Sequence, residues 1–276
     1  MRLSKFIPLV LVTVLFFSCK KDDNGSAPTK QAYLPASFNL TSSNGSFTKF
    51  GLAYNDDNSV STLTSSMSMY EGQVDTIHFL RNTNGDCVKV TFTNNKGNVV
   101  ANSDSLVYRD GKMIIFQVDG YGMLRDSSVF TFNSQGDVIQ LGNKDTVRNG
   151  DSKSLFYTEF SIVNGNPQTF TTNSYYAASA TAQPQITTDT SNYTYDNKPN
   201  AFQAVLRADP FLVFFLSGSS LAYISMGQNN ITSVKQYGTQ FDFSLTYDAV
   251  TGYLSSQQNT FMGTTLTIDY TYVKSK

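Results

Sequence analysis

The stretch "VKVTFTNNKGNVV", residues 88–100, decides the fold. Val88, Val90 and Phe92 fall on one side of an extended chain, and Lys89, Thr91 and Thr93 fall on the other. Alternation at a period of two marks a strand with one buried and one wet face. The run NNKGN supplies Asn and Gly, which tolerate positive φ, before the aliphatic Val99 and Val100 resume. The local reading is strand, turn, strand.

The same unit recurs along the chain. It reads "FGLAYNDDNSV" (turn between Tyr54 and Val60), "FTFNSQGDVI" (Phe132 to Val138), "YTYDNKPNAF" (Tyr195 to Phe202) and "LTYDAVTGYL" (Tyr247 to Leu254). A shorter version, "VYRDGKM", centres on Asp110-Gly111, a two-residue hairpin signal. Alternation also carries "FDFSLTY" (241–247) and "LTIDYTY" (266–272), with Leu266, Ile268, Tyr270 and Tyr272 together. Composition agrees: Glu71 and Glu159 are the only glutamates, whereas Thr, Ser, Asn, Tyr and Phe are abundant. These residues suit pleated surfaces and turns rather than helices. The expected fold is all-β, an antiparallel meander over residues 37–276 that curls into a half-barrel or open porin-like sheet.

Two segments depart from the pattern. "TTNSYYAASATAQPQITTDTSN", residues 171–192, has no sustained period and reads as a long loop; as a boundary it would split the chain into two packed sheets. "NAFQAVLRADPFLVFFL" follows Pro199 and offers one short helix near 200–208, ended by Pro210. Phe211 to Leu216 are apolar on both faces and read as core.

The N-terminus addresses the chain elsewhere. Arg2 and Lys5 precede a 12-residue apolar run, Phe6 to Phe17. A membrane-crossing helix needs about 20 apolar residues, so this run is the core of a signal peptide, residues 1–18. "LFFSC", residues 15–19, resembles the lipobox of bacterial lipoproteins, with Phe16 where that motif usually has leucine. The resemblance implies cleavage after Ser18 and acylation of Cys19 with palmitate-type chains. Each buried methylene adds about 0.8 kcal/mol, so several chains anchor firmly. "KKDD" (20–23) resembles the basic-then-acidic tetrapeptides of surface-exposed Bacteroidota lipoproteins, which implies the outer membrane, facing the exterior. Residues 19–36 read as a flexible tether.

"YDNKPNAF" (195–202), "NNITSV" (229–234), "YDAVTGYL" (247–254) and "TIDYTYVK" (267–274) resemble the C-terminal half of uncharacterised Bacteroidota outer-membrane lipoproteins with degenerate YD-type hairpins. That resemblance implies a large curved antiparallel sheet and an envelope location, and no particular activity.

Catalytic equipment is sparse in the sequence. His78 is the single histidine, so there is no multi-histidine metal site, and no CxxC or GxSxG accompanies it. Its strand setting in "DTIHFLR" suits a structural role. "GYGMLR" (120–125) lacks the third glycine of a dinucleotide fingerprint and reads as a turn. Cys87, beside Val88 and Val90, reads as a small buried hydrophobe. Most aspartates, among them Asp56, Asp57, Asp110, Asp137 and Asp248, occupy turn positions. "YNDDNS" lacks the distal glutamate of a calcium loop. No cofactor or metal is expected. Loss of residues 1–18 leaves a net charge of about −3 and no basic stripe, which argues against nucleic acid. The expected function is a non-enzymatic binding or structural module of the envelope. It meets the membrane through Cys19 and takes a glycan, lipid or protein ligand, tyrosine faces being suited to sugars. A hydrolase of glycosidase type using paired aspartates is the alternative. A purely adhesive component is the third reading.

Overall fold

A computed structural model describes residues 33–70, 72–96, 99–118, 124–149, 151–179, 181–217, 226–261 and 263–276. The chain starts up and down through β1 (Tyr33–Ser42), β2 (Phe47–Tyr54), β3 (Val60–Met67), β4 (Asp75–Arg81) and β5 (Cys87–Asn94). It continues through β6 (Val99–Arg109), β7 (Lys112–Val118), β8 (Leu124–Phe132) and β9 (Val138–Asn149). Arg109 pairs with Lys112 across Asp110 (φ 52°) and Gly111 (φ 68°). Two central residues at positive φ give the turn whose twist matches that of its strands. The predicted turns after Tyr54, Phe132 and Tyr247 also separate paired strands.

Three long strands follow, β10 (Ser152–Val163), β11 (Asn166–Ala177) and β12 (Gln185–Pro199). The chain then leaves the sheet as α1 (Ala201–Ala208) and α2 (Leu212–Ser217). It returns as β13 (Asn229–Gln236), β14 (Thr239–Asp242), β15 (Ser244–Tyr247), β16 (Leu254–Phe261) and β17 (Thr264–Lys274). Among the described residues these seventeen strands form one sheet. β17 pairs with β1 from Tyr33↔Lys274 to Ser42↔Leu266, so the sheet comes round on itself as a barrel. β14 and β15 are two halves of one run interrupted at Phe243, the first paired with β13 and the second with β16. The Phe243 amide donates to Thr232 O (2.9 Å), and Asn259 Nδ2 donates to Asp242 O (2.8 Å), which keeps the wall joined at the interruption.

The helical segment fills the barrel. A barrel of 16–18 strands normally leaves an aqueous lumen, because wall side chains alone do not reach across it. Here Phe202, Val205, Leu206, Phe211, Leu212, Val213 and Leu216 join one core cluster with Phe38, Phe79, Val90, Met113, Ile115, Phe130 and Ile268 of the wall. Ring pairs stitch the two parts together: Phe202 on Phe38 at 5.5 Å and on Tyr270 at 5.7 Å, Phe211 on Phe79 at 4.6 Å, and Phe214 on Phe130 at 6.4 Å. Asn200 caps α1, its Oδ1 accepting from the Phe202 amide at 3.0 Å. The helix ends at Asp209 because Pro210 disfavours helical backbone in the residue before it.

The outer face has the opposite character. In β17 the buried Ile268 and Tyr270 alternate with Thr267, Asp269 and Thr271. Ser37 meets Thr271 (2.7 Å), Ser256 donates to Asp269 (2.8 Å) and Gln258 donates to Thr267 (3.1 Å), so a polar lattice crosses β16, β17 and β1. A barrel that spans a bilayer needs an apolar band outside. On these three strands the wall is arranged the other way round, apolar inside and hydroxyl-rich outside, whereas β6 to β8 and β10 to β12 carry the outward apolar rows Val107–Ile114–Val129 and Leu155–Tyr175–Ile186.

Several expectations need correction. Residues 171–192 are not a loop: β11 and β12 pair without a break from Thr169↔Asn192 to Tyr176↔Gln185. Their period is hidden because both faces are hydroxylated, with cross-strand contacts such as Thr171–Thr190 at 3.4 Å and Ser174–Thr187. No boundary therefore divides the chain into two packed sheets there. "YTYDNKPNAF" is not a hairpin either. Tyr195 pairs with Ile231, beyond the helical excursion, because Pro199 ends the strand and Asn200 starts the helix. β1 opens at Tyr33, inside the stretch assigned to the tether; Leu34 and Phe38 are buried, and the register shift between Pro35 and Ser37 obscures their alternation. The helix expected near 200–208 is present, and the apolar run after Pro210 forms the second helix, in the core.

Packing of the helical segment makes a stability prediction. Phe211→Ala empties a fully buried ring site and should cost about 3–5 kcal/mol in urea unfolding. Val250→Ser, at a position 82% exposed, should stay within about 0.5 kcal/mol.

Candidate functional site

The helical segment is held at one end of the barrel by a buried ion pair. Asp209, 1% exposed, lies between α1 and α2. Its Oδ2 accepts from the Val60 amide at the start of β3 (2.7 Å), and its Oδ1 accepts from Arg81 Nη2 at the end of β4 (2.6 Å). Arg81 also donates to Val60 O (2.8 Å) and Gly85 O (2.9 Å), and it lies 5.7 Å from the Phe211 ring. Burial pushes the Asp209 carboxyl above its ordinary range, although Val60 and Arg81 pull the other way. On the same end, Arg207 in the last turn of α1 pairs with Asp137 at 2.5 Å. Tyr247 donates to Asp196, which also accepts from the Asn230 amide at 3.0 Å. Small cavities remain at this end: about 10 Å³ beside Gln257 and Tyr270, and about 20 Å³ beside Gln203 and Met226. Those volumes suit a water molecule and nothing larger.

The other end is different. Along the inner face of β10 the core stops at Phe160, 5% exposed, and Thr158. Phe156, two steps further on the same face, is 65% exposed. The pairing of β10 with β11 runs unbroken from Lys153↔Ala177 to Ser161↔Thr169, so Phe156 must face inward with Phe160. Opposite it stands Ser174, and opposite Ser154 stands Tyr176, 48% exposed. Thr187 and Asp189 continue the same face onto β12 through Ser174↔Thr187 and Thr172↔Asp189. Thr158 and Thr172 hydroxyls meet at 3.1 Å, below this row. On the far side of Phe156, Gly142 takes φ 85°, and a Cβ there would lie 2.5 Å from Phe156 O. Only glycine lets β9 approach so closely and follow the bulge that presses it onto β10. The inner wall therefore carries an aromatic and hydroxyl-rich surface above its core. A shallow groove of about 140 Å³ on the same end, between Leu40, Phe47, Met67, Met69 and Leu266, is smaller than ordinary ligand pockets.

The residues singled out from the sequence are scattered. Cys19, the signal peptide and most of the tether lie outside the described residues. His78 lies on the outer face of β4, its Nε2 2.9 Å from Thr93 Oγ1, beside a chain of hydroxyls rather than a nucleophile and acid. Cys87 is buried, and burial pushes its thiol up to about 12, as suits a core residue. Asp57 and Asp248 serve as turn acceptors, for Ser59 N (2.9 Å) and Val250 N (3.0 Å) respectively. Among the described residues no cluster of three or more metal-ligating side chains occurs. Most of the "GYGMLR" stretch also lies outside the described residues.

Sequence reasoning missed Asp209, Arg81, Asp104 and Phe156. A signal for Phe156 existed: in "SKSLFYTEF" bulky groups occupy both alternating sets, as expected of a wall wet on both sides beyond the core. Asp104 faces inward from β6, and burial alone raises its carboxyl to about 6.

No family model matches the chain, and no curated protein does. Among solved structures the chain is similar to a porin-like protein from Bacteroides uniformis ATCC 8492, at 13% identity over 87% of this chain and 98% of that one, with a TM-score of 0.38. It is also similar to a porin-like protein from Bacteroides vulgatus ATCC 8482, at 11% identity over 77% and 98%, with a TM-score of 0.34.

Two outcomes test the electrostatics. Asp104 has a folded pKa of about 6 against an ordinary 3.8, so the fold favours its protonated form. Asp104→Asn should stabilise the protein above about pH 6, by up to about 3 kcal/mol in denaturant titrations, and the gain should vanish below about pH 4. Arg81→Leu leaves Asp209 buried without its counter-charge and should cost about 3–5 kcal/mol at neutral pH. That loss should shrink on acidification, as Asp209 takes up its proton.

Proposed function

We propose that this chain is a lipid-anchored, non-enzymatic module of the bacterial outer membrane that faces the exterior and presents its barrel as a binding body. The observation that carries the reading is the lipobox-like "LFFSC" ending at Cys19, together with a wall whose outer face is polar across β16, β17 and β1. Hydroxyls, amides and carboxylates on those strands interrupt any apolar band that would encircle the wall, which suits attachment through acyl chains. "KKDD" supplies the address.

The non-enzymatic part draws on how the buried carboxylates are used. Asp209 spends both oxygens on Val60 and Arg81, and its task is to hold the helical segment. Asp104 owes its raised pKa to burial alone, without the second carboxylate that a glycosidase pair requires. Asp57 and Asp248 are turn acceptors for backbone amides, and Asp137 is paired with Arg207.

Metabolic labelling with a palmitate analogue, followed by fractionation, tests this reading. The wild-type chain should carry label, sediment with the outer membrane and be degraded when intact cells are treated with protease. Cys19→Ala should lose the label and leave the membrane fraction. An unlabelled wild type, or a Cys19→Ala variant that still partitions into the outer membrane, overturns it.

A further inference from the structure

We infer that the inner wall of β10, β11 and β12 beyond the core is a carbohydrate-binding surface, with Phe156 as the platform for the apolar face of a neutral hexose oligosaccharide. This rests on the binding role proposed above and names its ligand class. The anomaly that starts it is Phe156 itself: an inward-facing ring in a barrel, yet 65% exposed. A lone exposed apolar side chain on an outer surface needs no explanation, but one on the inward-facing row of a barrel strand marks a place where something else completes the packing.

The neighbours select the chemistry. Ser154, Ser174, Thr187 and Asp189 share the face of the ring, Ser174 bonded to Thr187 and Asp189 accepting from Tyr237, and Tyr176 adds a second exposed ring at the rim. Of the lysines on these strands, Lys153 falls in the outward set of β10 and Lys198 lies over the Tyr247 ring at the helical end (3.6 Å), so neither stands in this row; Asp189 repels anions, and phosphate and sulfate groups are disfavoured. A lipid chain would take the Asp189 carboxylate out of water and offer it no donor, which costs free energy. An extended peptide would add to a sheet edge, and around Phe156 both β10 and β11 are paired on both sides; the one stretch with a single partner, Gln185–Thr190 of β12, lies two strands from the ring. A neutral sugar has what remains: C–H groups on one face for the ring, and hydroxyls around its edge for serine, threonine and carboxylate partners. Gly142 contributes by letting β9 press against the backbone of Phe156, which fixes the platform from behind.

The test uses the full-length acylated protein in detergent micelles, applied to an array of neutral hexose oligosaccharides and then titrated with those captured. Binding is expected. Phe156→Ala should weaken it by about tenfold or more, the effect of losing a central aromatic anchor. Phe156→Trp should retain it, and both variants should melt with the wild type because the ring is exposed. Asp189→Asn should weaken it without abolishing it. No binding at millimolar sugar, binding indifferent to Phe156→Ala, or a Phe156-dependent preference for phosphatidylethanolamine–phosphatidylglycerol vesicles overturns the inference. Reducing ends are assayed in the same samples. If the bound sugars are hydrolysed, the non-enzymatic reading falls and the sugar site stands; if no sugar binds to a protein that is acylated and correctly located, the sugar site alone falls.

Discussion

A seventeen-strand barrel has to be filled, and the rest of this structure depends on how that is done. Wall side chains at this strand number cannot meet across the lumen. The chain solves the problem by interrupting its meander once, between β12 and β13, and sending an apolar helical segment inward. Four phenylalanines of that segment, Phe202, Phe211, Phe214 and Phe215, lie within reach of wall rings and turn a ring of strands into a single core. The segment carries one buried charge, Asp209, and Arg81 of the wall meets it, so the filling is also fixed in place.

Filling one end separates two environments. Where the helices sit, the interior is dry and its polar groups are spent on capping, ion pairing and cross-wall hydrogen bonds. Beyond them the strands β10 to β12 run on past the core, and their inner face becomes wet while keeping an aromatic ring. On β16, β17 and β1, where alternation is clean, the outer face carries hydroxyls, amides and carboxylates.

Much of this was legible in the sequence, for reasons that can be assigned to particular residues. Val88 to Phe92 and Leu266 to Tyr272 have one apolar and one polar face, so their period shows. Asp110-Gly111 requires positive φ twice, and few structures other than a tight hairpin use that pair. The strands β11 and β12 were hidden because their outward residues and much of their inward row are Thr, Ser and Asn, which removes the contrast that periodicity relies on. "YTYDNKPNAF" misled because its aromatic-turn-aromatic spacing imitates a hairpin, whereas Tyr195 finds its partner Ile231 only after the helical excursion. The site was the least legible part. Asp209 with Arg81 and Phe156 with Thr187 are brought together by barrel closure and register, not by spacing along the chain.

The central claim is that residues 201–217 are an integral filling of the barrel rather than a segment resting at its mouth. Native-state hydrogen exchange of the full chain measures this directly. Amides of Val205, Leu206 and Leu216 should exchange as slowly as those of Phe38, Val90 and Ile268, with all six released together in denaturant. Fast exchange of the helical amides while the strand amides stay protected would contradict the account.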